Sequence, residues 1–385
     1  MDLSQIRQDI DRIDSGLVPL LCERLECSEQ VARYKYENGI PVLNEQRERE
    51  VLDKIAAESA ALDAHNRGYG RANQLIYSTV MEVSRALQHR LLGAGQELRE
   101  RLEAADKALI PSERARVVCQ GTRGAFSHEA AMTLFPQAQP QFLPTWEHVI
   151  EAVKNGEADY GLVPVENSST GSVHEAYDLI IANRCHIAAA VDVPVRQCLL
   201  GVKGASVSDV KTVISHPQAL SQCREFIRKN GFVEQQYGNT ATAAQYVAEQ
   251  GDVTVAAVGS KEAAREFGLD VLAENIQTFD GNTTRFVAIS QKLCIPPDAD
   301  RITLLFCLPH TTGSLYHTLG RFALEGLNLT KLESRPLRNG NFEYAFYLDF
   351  EGNAQNENTV ALLCALSEEL PQFTLLGNYH EQTVT

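Results

Sequence analysis

Residues 3–35 read LSQIRQDIDRIDSGLVPLLCERLECSEQVARYK. Leu3, Ile6, Ile10, Ile13, Leu17, Leu20 and Leu21 recur at helical spacing and Val31 falls on the same stripe, so the stretch predicts one long amphipathic helix. Pro19 removes an intrahelical hydrogen bond, yet the phase of the stripe carries through it. Asn38-Gly39-Ile40-Pro41 is the stop signal. At 1.5 Å per residue this rod is roughly 50 Å long. Arg24 and Lys35 lie on the apolar face; eleven residues are close to three turns, so the two cations point one way. Arg7 lies at the edge of the stripe, nearer the amino end.

A second helix is expected from Asn44, an N-cap followed by an acidic first turn, with the stripe Leu52, Ile55, Ser59 and Leu62. Glu48 is in phase with Leu52, with Arg47 beside it. A third is expected from about Arg67 past Leu102, with Ile76, Val80, Val83, Leu87 and Leu91 inward and Ser84 and Gln88 one turn apart on the margin. Such long rods cannot bury their own stripes, which predicts an intertwined helical dimer. Two readings fit the charges on the apolar faces. One is a buried salt bridge from Arg24 or Lys35 to Glu48. The other is a bound dianion, since cations outnumber carboxylates and an uncompensated buried charge costs several kcal/mol.

Arg7, Arg24, Lys35, Arg47, Glu48, Ser84 and Gln88, at these intervals on three helices, resemble the all-helical chorismate mutase family. Where that family has Asp, this chain has Asn44. The resemblance implies rearrangement of chorismate to prephenate without nucleophile or cofactor, by holding the reactive conformer and stabilising charge on the ether oxygen. Lys35 and Gln88 would donate to that oxygen, Gln88 depending on a protonated Glu48. Arg24 and Arg47 would grip carboxylates, Asn44 would help hold the substrate hydroxyl, Ser84 would line the site, and Arg7 would come from the other protomer.

After Lys107–Ser112, which reads as a linker, the pattern changes to short apolar runs, polar turns and helices, predicting α/β architecture with ligand loops at strand ends. Neither GxGxxG nor GxxxxGK[ST] occurs, so nucleotide binding has weak support. Each polar loop alone reads as a turn or N-cap. In order, GTRGAFS (121–127), VPVENSSTGSV (163–173), SHPQ (215–218) with Gln222, and TRF (284–286) resemble the prephenate dehydratase family over about residues 115–292. That resemblance implies a bilobed fold like a type II periplasmic binding protein, with the chain crossing near Pro194 and returning near Asn282. Prephenate would lose water and carbon dioxide in the cleft. Thr284 would be tied most closely to the chemistry, with Asn167 and Gln222 in support. Ser168, Thr170 and Ser215 would line the cleft, and Arg285 and Phe286 of the TRF motif are candidates for substrate contact.

Beyond Pro296-Pro297 the order is βαββαβ, a ferredoxin-like sandwich of about 80 residues. Gly313-Ser314-Leu315 and Glu333-Ser334-Arg335-Pro336 resemble the ACT domain of dehydratases, which binds amino acids between paired copies. ESRP alone reads rather as a strand end with a salt bridge; following a dehydratase-like region, the regulatory reading is the one it supports. Together the regions resemble bifunctional chorismate mutase/prephenate dehydratases. The implied division is a helical mutase domain at 1–106, an α/β dehydratase domain at 115–293 and an α+β ACT domain at 300–380. Phenylalanine would inhibit, and the chain would be a homodimer or larger homo-oligomer. Arogenate in place of prephenate, and a non-catalytic amino-acid-binding regulator, are the competing readings; the full mutase set and Thr284 argue against the regulator.

The bulk properties agree. The chain has 385 residues, 44% hydrophobic and 22% charged, enough for two or three globular domains. A net charge of −15 argues against a nucleic-acid partner. The lack of a run of about 18 apolar residues predicts no membrane span. Nine cysteines without a CxxC pair predict reduced cytoplasmic thiols, and ten histidines without HExxH predict no metal. No cofactor is expected.

Overall fold

A computed structural model describes residues 2–108, 114–336 and 344–383. By its internal contacts the chain forms two compact units: Met1–Ala104 with Thr303–Leu375, and Ala105–Ile302 with Leu376–Thr385.

In the first unit, α1 (Leu3–Glu37) runs unbroken through Pro19. It ends where Gly39 turns left-handed at φ 63° and the Ile40 N–H reaches back to Lys35 O at 2.8 Å. This closure satisfies a terminal carbonyl and fixes the turn that carries Lys35. The next helix, α2 (Glu45–Leu62), starts at Asn44, whose side chain accepts from Arg47 N at 3.0 Å. Asp63 then accepts from the N–H groups of Gly68 and Tyr69 at the start of α3 (Tyr69–Leu92). The expectation of a third helix past Leu102 is corrected here. Gly93 and Gly95 both take left-handed φ, 63° and 69°, and a separate α4 (Gln96–Glu103) follows. At 24 residues, α3 is about 36 Å long. Ile76 and Leu91 are exposed, whereas Val80, Val83 and Leu87 are half-buried.

The second unit opens with β1 (Val117–Gln120), α5 (Phe126–Leu134), β2 (Gln141–Leu143), α6 (Trp146–Lys154), β3 (Tyr160–Asn167), β4 (Gly171–Ser172), α7 (His174–Ala182) and β5 (His186–Pro194). The chain then crosses into β6 (Cys198–Gly201), β7 (Thr212–Ser215), α8 (Pro217–Gln222), α9 (Arg224–Asn230), β8 (Val233–Gln236), α10 (Thr240–Gln250), β9 (Val255–Gly259), α11 (Lys261–Phe267) and β10 (Asp270–Ala273). It returns in β11 (Thr283–Ser290). One sheet runs β5-β11-β3-β1-β2 and the other β10-β6-β9-β7-β8, so two α/β lobes are joined by two crossings, at the places expected from Pro194 and Asn282. In the first lobe Leu162, Val191, Val193 and Phe286 share a core with Ala130 and Leu134 of α5 and with Phe135, its C-cap. In the second, separate apolar clusters around Ala257 and Val258 cover the two faces of the sheet.

The carboxyl-terminal elements are β12 (Arg301–Cys307), α12 (Ser314–Leu324), β13 (Leu329–Pro336), β14 (Tyr344–Glu351), α13 (Glu357–Glu369), β15 (Thr374–Tyr379) and β16 (Glu381–Thr383). The strand order β13-β14-β12-β15 is that of a ferredoxin-like sandwich, as the βαββαβ pattern predicts. Residues 337–343, which include the expected end of the second strand and start of the third, lie outside the described residues. Within the first unit this region packs on the helices: Arg99 of α4 pairs with Glu357 at 2.9 Å, and Arg90 of α3 with Glu325 at 2.7 Å.

Candidate active sites

In the helical region, Arg24, Lys35, Asn44, Arg47, Glu48, Ser84 and Gln88 all line one cavity of about 290 Å³. The stop at Gly39 turns the chain back so that Asn44 opens α2 opposite Lys35, and α3 closes the third side. Lys35 Nζ donates to Val42 O at 2.5 Å and to Gln88 Oε1 at 3.4 Å, and Gln88 Nε2 donates to Ser84 O at 3.2 Å. Arg24 donates to the Ser84 hydroxyl at 2.7 Å. Arg7 is exposed on α1 and does not line the cavity.

Neither expected salt bridge to Glu48 forms. Its partner is Arg85, a residue the sequence reading missed, whose Nη1 contacts the two carboxylate oxygens at 2.6 and 2.5 Å. Arg85 also pairs with Glu82 and lies 3.8 Å from Glu369. Burial opposes its charge, but Glu82, Glu369 and Glu48 outweigh that and hold the guanidinium above its ordinary value. Glu48 is thus held by Arg85 rather than by Lys35 or Arg24. Burial pushes the Lys35 ammonium down; Glu48 pulls it back up and Arg85 adds to the lowering. A signal for Arg85 existed: it is the one basic residue within a turn of both Ser84 and Gln88 on an otherwise half-apolar face.

In the bilobed unit the β3–β11 pairing sets Thr284 opposite Asn167. Asn167 Oδ1 accepts from Ser169 N at 3.0 Å, Ser169 Oγ at 2.5 Å and Thr170 N at 3.2 Å. Those donors fix the amide, so Nδ2 faces Thr284 Oγ1 at 2.9 Å and Asn282 Oδ1 at 2.8 Å. Thr284 Oγ1 thus accepts a hydrogen bond from Asn167. Asn282, read in the sequence only as the point of return between the lobes, sits two residues before Thr284, just ahead of β11. The Ser168 hydroxyl accepts from Thr283 N and donates to Gly281 O, and the Thr170 hydroxyl donates to Asn167, so both hold the loop. At the crossing, buried Gln197, also missed, donates to Gln222 Oε1 at 3.2 Å.

Three expected contact residues are placed elsewhere. Ser215 is fully buried with its hydroxyl on Val258 O at 2.7 Å, so it supports β7 instead of lining the cleft. Phe286 is buried in the first lobe's core, one strand repeat past Thr284. Arg285 points to the other face of β11, where Asp192 at 2.9 Å and Glu381 engage it; Glu381 also holds Arg301 at 2.5 Å.

Of the expected effector residues, Gly313 is the N-cap of α12 with φ 89°, followed by half-buried Ser314 and Leu315. Glu333 to Pro336 lie on β13, where Glu333 faces Lys331 and Arg335 donates to the Tyr347 hydroxyl at 3.2 Å. Among the described residues no cluster of metal ligands occurs, and no helix is long and apolar enough to cross a membrane.

A three-helix charged cavity followed by a bilobed α/β unit with a Thr–Asn pair defines an enzyme with two sites. Residues 6–89 match the family model of chorismate mutase type II, and residues 117–293 that of prephenate dehydratase. The chain is 32% identical over 381 residues to a bifunctional chorismate mutase/prephenate dehydratase of Aquifex aeolicus, covering 98% of each. It is 38% identical over 283 residues to arogenate dehydratase/prephenate dehydratase 1 of Arabidopsis thaliana, covering 69% of this chain and 72% of that protein. A solved prephenate dehydratase of Arthrobacter aurescens, in complex with L-Phe, is 30% identical with a TM-score of 0.61, over 69% of this chain and 90% of that one. The chain belongs to the bifunctional chorismate mutase/prephenate dehydratase family.

Proposed function

We propose that this chain converts chorismate to prephenate in the helical cavity and prephenate to phenylpyruvate, water and carbon dioxide in the bilobed unit. The observation that carries the reading is the convergence of Arg24, Lys35, Arg47 and Gln88 on one cavity, a cationic frame for a dianion. Lys35 is poised to donate to the ether oxygen as charge develops there, and Gln88 joins it by turning its amide. Arg24 and Arg47 take the carboxylates, and Arg7 of a second copy completes the site. Ser84 orients Arg24 through their hydrogen bond. In the second site Thr284, oriented by Asn167, relays a proton from solvent to the ring hydroxyl, which leaves as water while the ring carboxylate leaves as carbon dioxide and its electron pair enters the ring, and Gln222 borders the cleft from the other lobe. The functional segments are 1–106, 115–293 and an ACT segment at 300–380 through which phenylalanine inhibits. The protein acts in the cytoplasm, as a homodimer or larger assembly. Prephenate is favoured over arogenate because the mutase on the same chain supplies it.

The test is to feed chorismate without any cofactor. Wild type should yield phenylpyruvate. Lys35→Ala should lose mutase activity by about 10²–10³, roughly 3–4 kcal/mol, while still dehydrating supplied prephenate. Thr284→Ala should accumulate prephenate. Loss of both activities in either variant would sink the assignment of separate sites, and faster turnover of arogenate than prephenate would change the substrate.

A further inference from the structure

We infer that Glu369, the last residue of α13, is a positioning residue for the rearrangement of chorismate: it holds Arg85, and through Arg85 it fixes Glu48 in the cavity that contains Lys35. The inference rests on the mutase reading above and adds to that site a residue from the far end of the chain.

Two acids, Glu368 and Glu369, close α13, and its last turn holds no basic residue. The helix dipole is negative at that end, so carboxylates there need cations from other elements. Glu368 accepts from Gly95 N at 2.5 Å, at the start of α4. The Glu369 side chain is only 9% exposed and meets three basic groups: Arg321 of α12 at 2.8 Å, Arg85 Nε of α3 at 3.8 Å, and His89 of α3. Burial pushes its carboxyl up, but His89, Arg321 and Arg85 outweigh that and hold it below its ordinary value. Glu369 is therefore an anion at neutral pH.

Arg85 is the link between that anion and the cavity. It is 8% exposed and each part of its guanidinium has its own carboxylate: Glu48 of α2 on Nη1, Glu82 of α3 on Nη2, and Glu369 facing Nε. A buried cation held from three sides has one resting place, and without Glu369 it moves toward the two carboxylates that remain. Both Arg85 and Glu48 line the mutase cavity. Around Lys35 the charged groups are Arg24 of its own helix, Arg47 and Glu48 of α2, and Arg85 of α3. A guanidinium drawn further onto Glu48 cancels more of the one negative charge among them. Docking of the sandwich does not by itself require this contact, because the Arg90–Glu325 and Arg99–Glu357 pairs join the same parts and line no wall of the cavity.

The experiment is a double-mutant cycle on the full chain, with mutase kcat and its rate–pH profile measured for wild type, Glu369→Gln, Arg85→Met and the pair, and dehydration of supplied prephenate as the control for folding. Glu369→Gln should lower mutase kcat by about fivefold or more and move the alkaline limb down, while dehydration changes by less than about twofold. In the Arg85→Met background the same substitution should change mutase kcat by less than about twofold and leave the limb in place, because the link is already cut. Arg90→Ala and Arg99→Ala, which break the other docking pairs, should leave kcat and limb as in wild type. Equal losses from Glu369→Gln with and without Arg85, an unmoved limb, or the same loss from Arg90→Ala and Arg99→Ala overturns the inference. Should Glu369→Gln not fold by circular dichroism, Glu369→Asp, which keeps the charge but draws it back by one methylene, decides by the same two readouts. A wild type without mutase activity sinks the mutase reading and this inference with it; an active wild type with Glu369→Gln unaltered sinks this inference alone.

Discussion

Lys35 shows how a single group inherits its behaviour from its neighbours. Its ammonium must stay charged to stabilise an anionic ether oxygen, yet burial lowers its pKa from 10.5. Mutase activity should therefore hold at neutral pH and fall as pH rises through a value below 10.5, while the dehydratase lacks that limb. Because Glu48 raises this pKa and Arg85 lowers it, Glu48→Gln should shift the alkaline limb down and Arg85→Met should shift it up. Rate–pH profiles of both variants check the signs; shifts in the same direction would mean the limb belongs to another group. The cationic set was legible in the sequence because a helix repeats its face every three or four residues, and no other element has that spacing. Arg85 was not, because its partner Glu48 is 37 positions away and helical phase says nothing of which chain segment lies opposite. In TRF the residues were read as one motif, but a strand gives neighbours different surroundings. Thr284 ends beside Asn167, Arg285 meets Asp192 and Phe286 enters the core.

At the scale of elements, the break between α3 and α4 is the feature that periodicity hid. The apolar phase of Leu87 and Leu91 continues into Leu98 and Leu102, so the stripe alone reads as one rod. Two glycines make the turn, and they differ. A Cβ on Gly93 would meet nothing within 4 Å, whereas one on Gly95 would lie 2.6 Å from Cys364 Cα. Gly93→Ala should cost only the left-handed backbone strain, about 1–2 kcal/mol. Gly95→Ala adds overpacking against α13 and should cost roughly 2–4 kcal/mol. Urea unfolding followed by helical circular dichroism separates them; equal losses would mean α13 does not press on the turn. The same reasoning qualifies Gly313. At φ 89°, with His317 Nε2 3.0 Å from an added Cβ, Gly313→Leu would strain the backbone as well as fill space.

For the whole molecule, the face of α1 sets the expectation of assembly. Ile10, Ile13 and Leu17 are 50%, 50% and 49% exposed along one stripe, an apolar surface suited to a second copy. Replacing Ile13 and Leu17 together by Asp should give a smaller particle by light scattering, with mutase activity lost and dehydration of supplied prephenate retained. An active mutase in a monomer would place Arg7 outside the chemistry. Changes in pattern along the chain divide the sequence into three segments, whereas the contacts form two units. That grouping was not legible, since helices and carboxyl-terminal sandwich meet through pairs such as Arg85 with Glu369 and His89 with Glu369, about 280 positions apart. That separation has a consequence during synthesis. A ribosome adding about 5–20 residues per second exposes Arg85 and His89 for on the order of tens of seconds before Glu369 is made. The first unit thus begins to emerge first, yet waits for nearly the whole chain before its second part, Thr303–Leu375, is made. In the interval Arg85 can pair with Glu48 and Glu82 of the helices but not with Glu369, so a truncated message would yield a helical segment whose contact face for α13 stays uncovered.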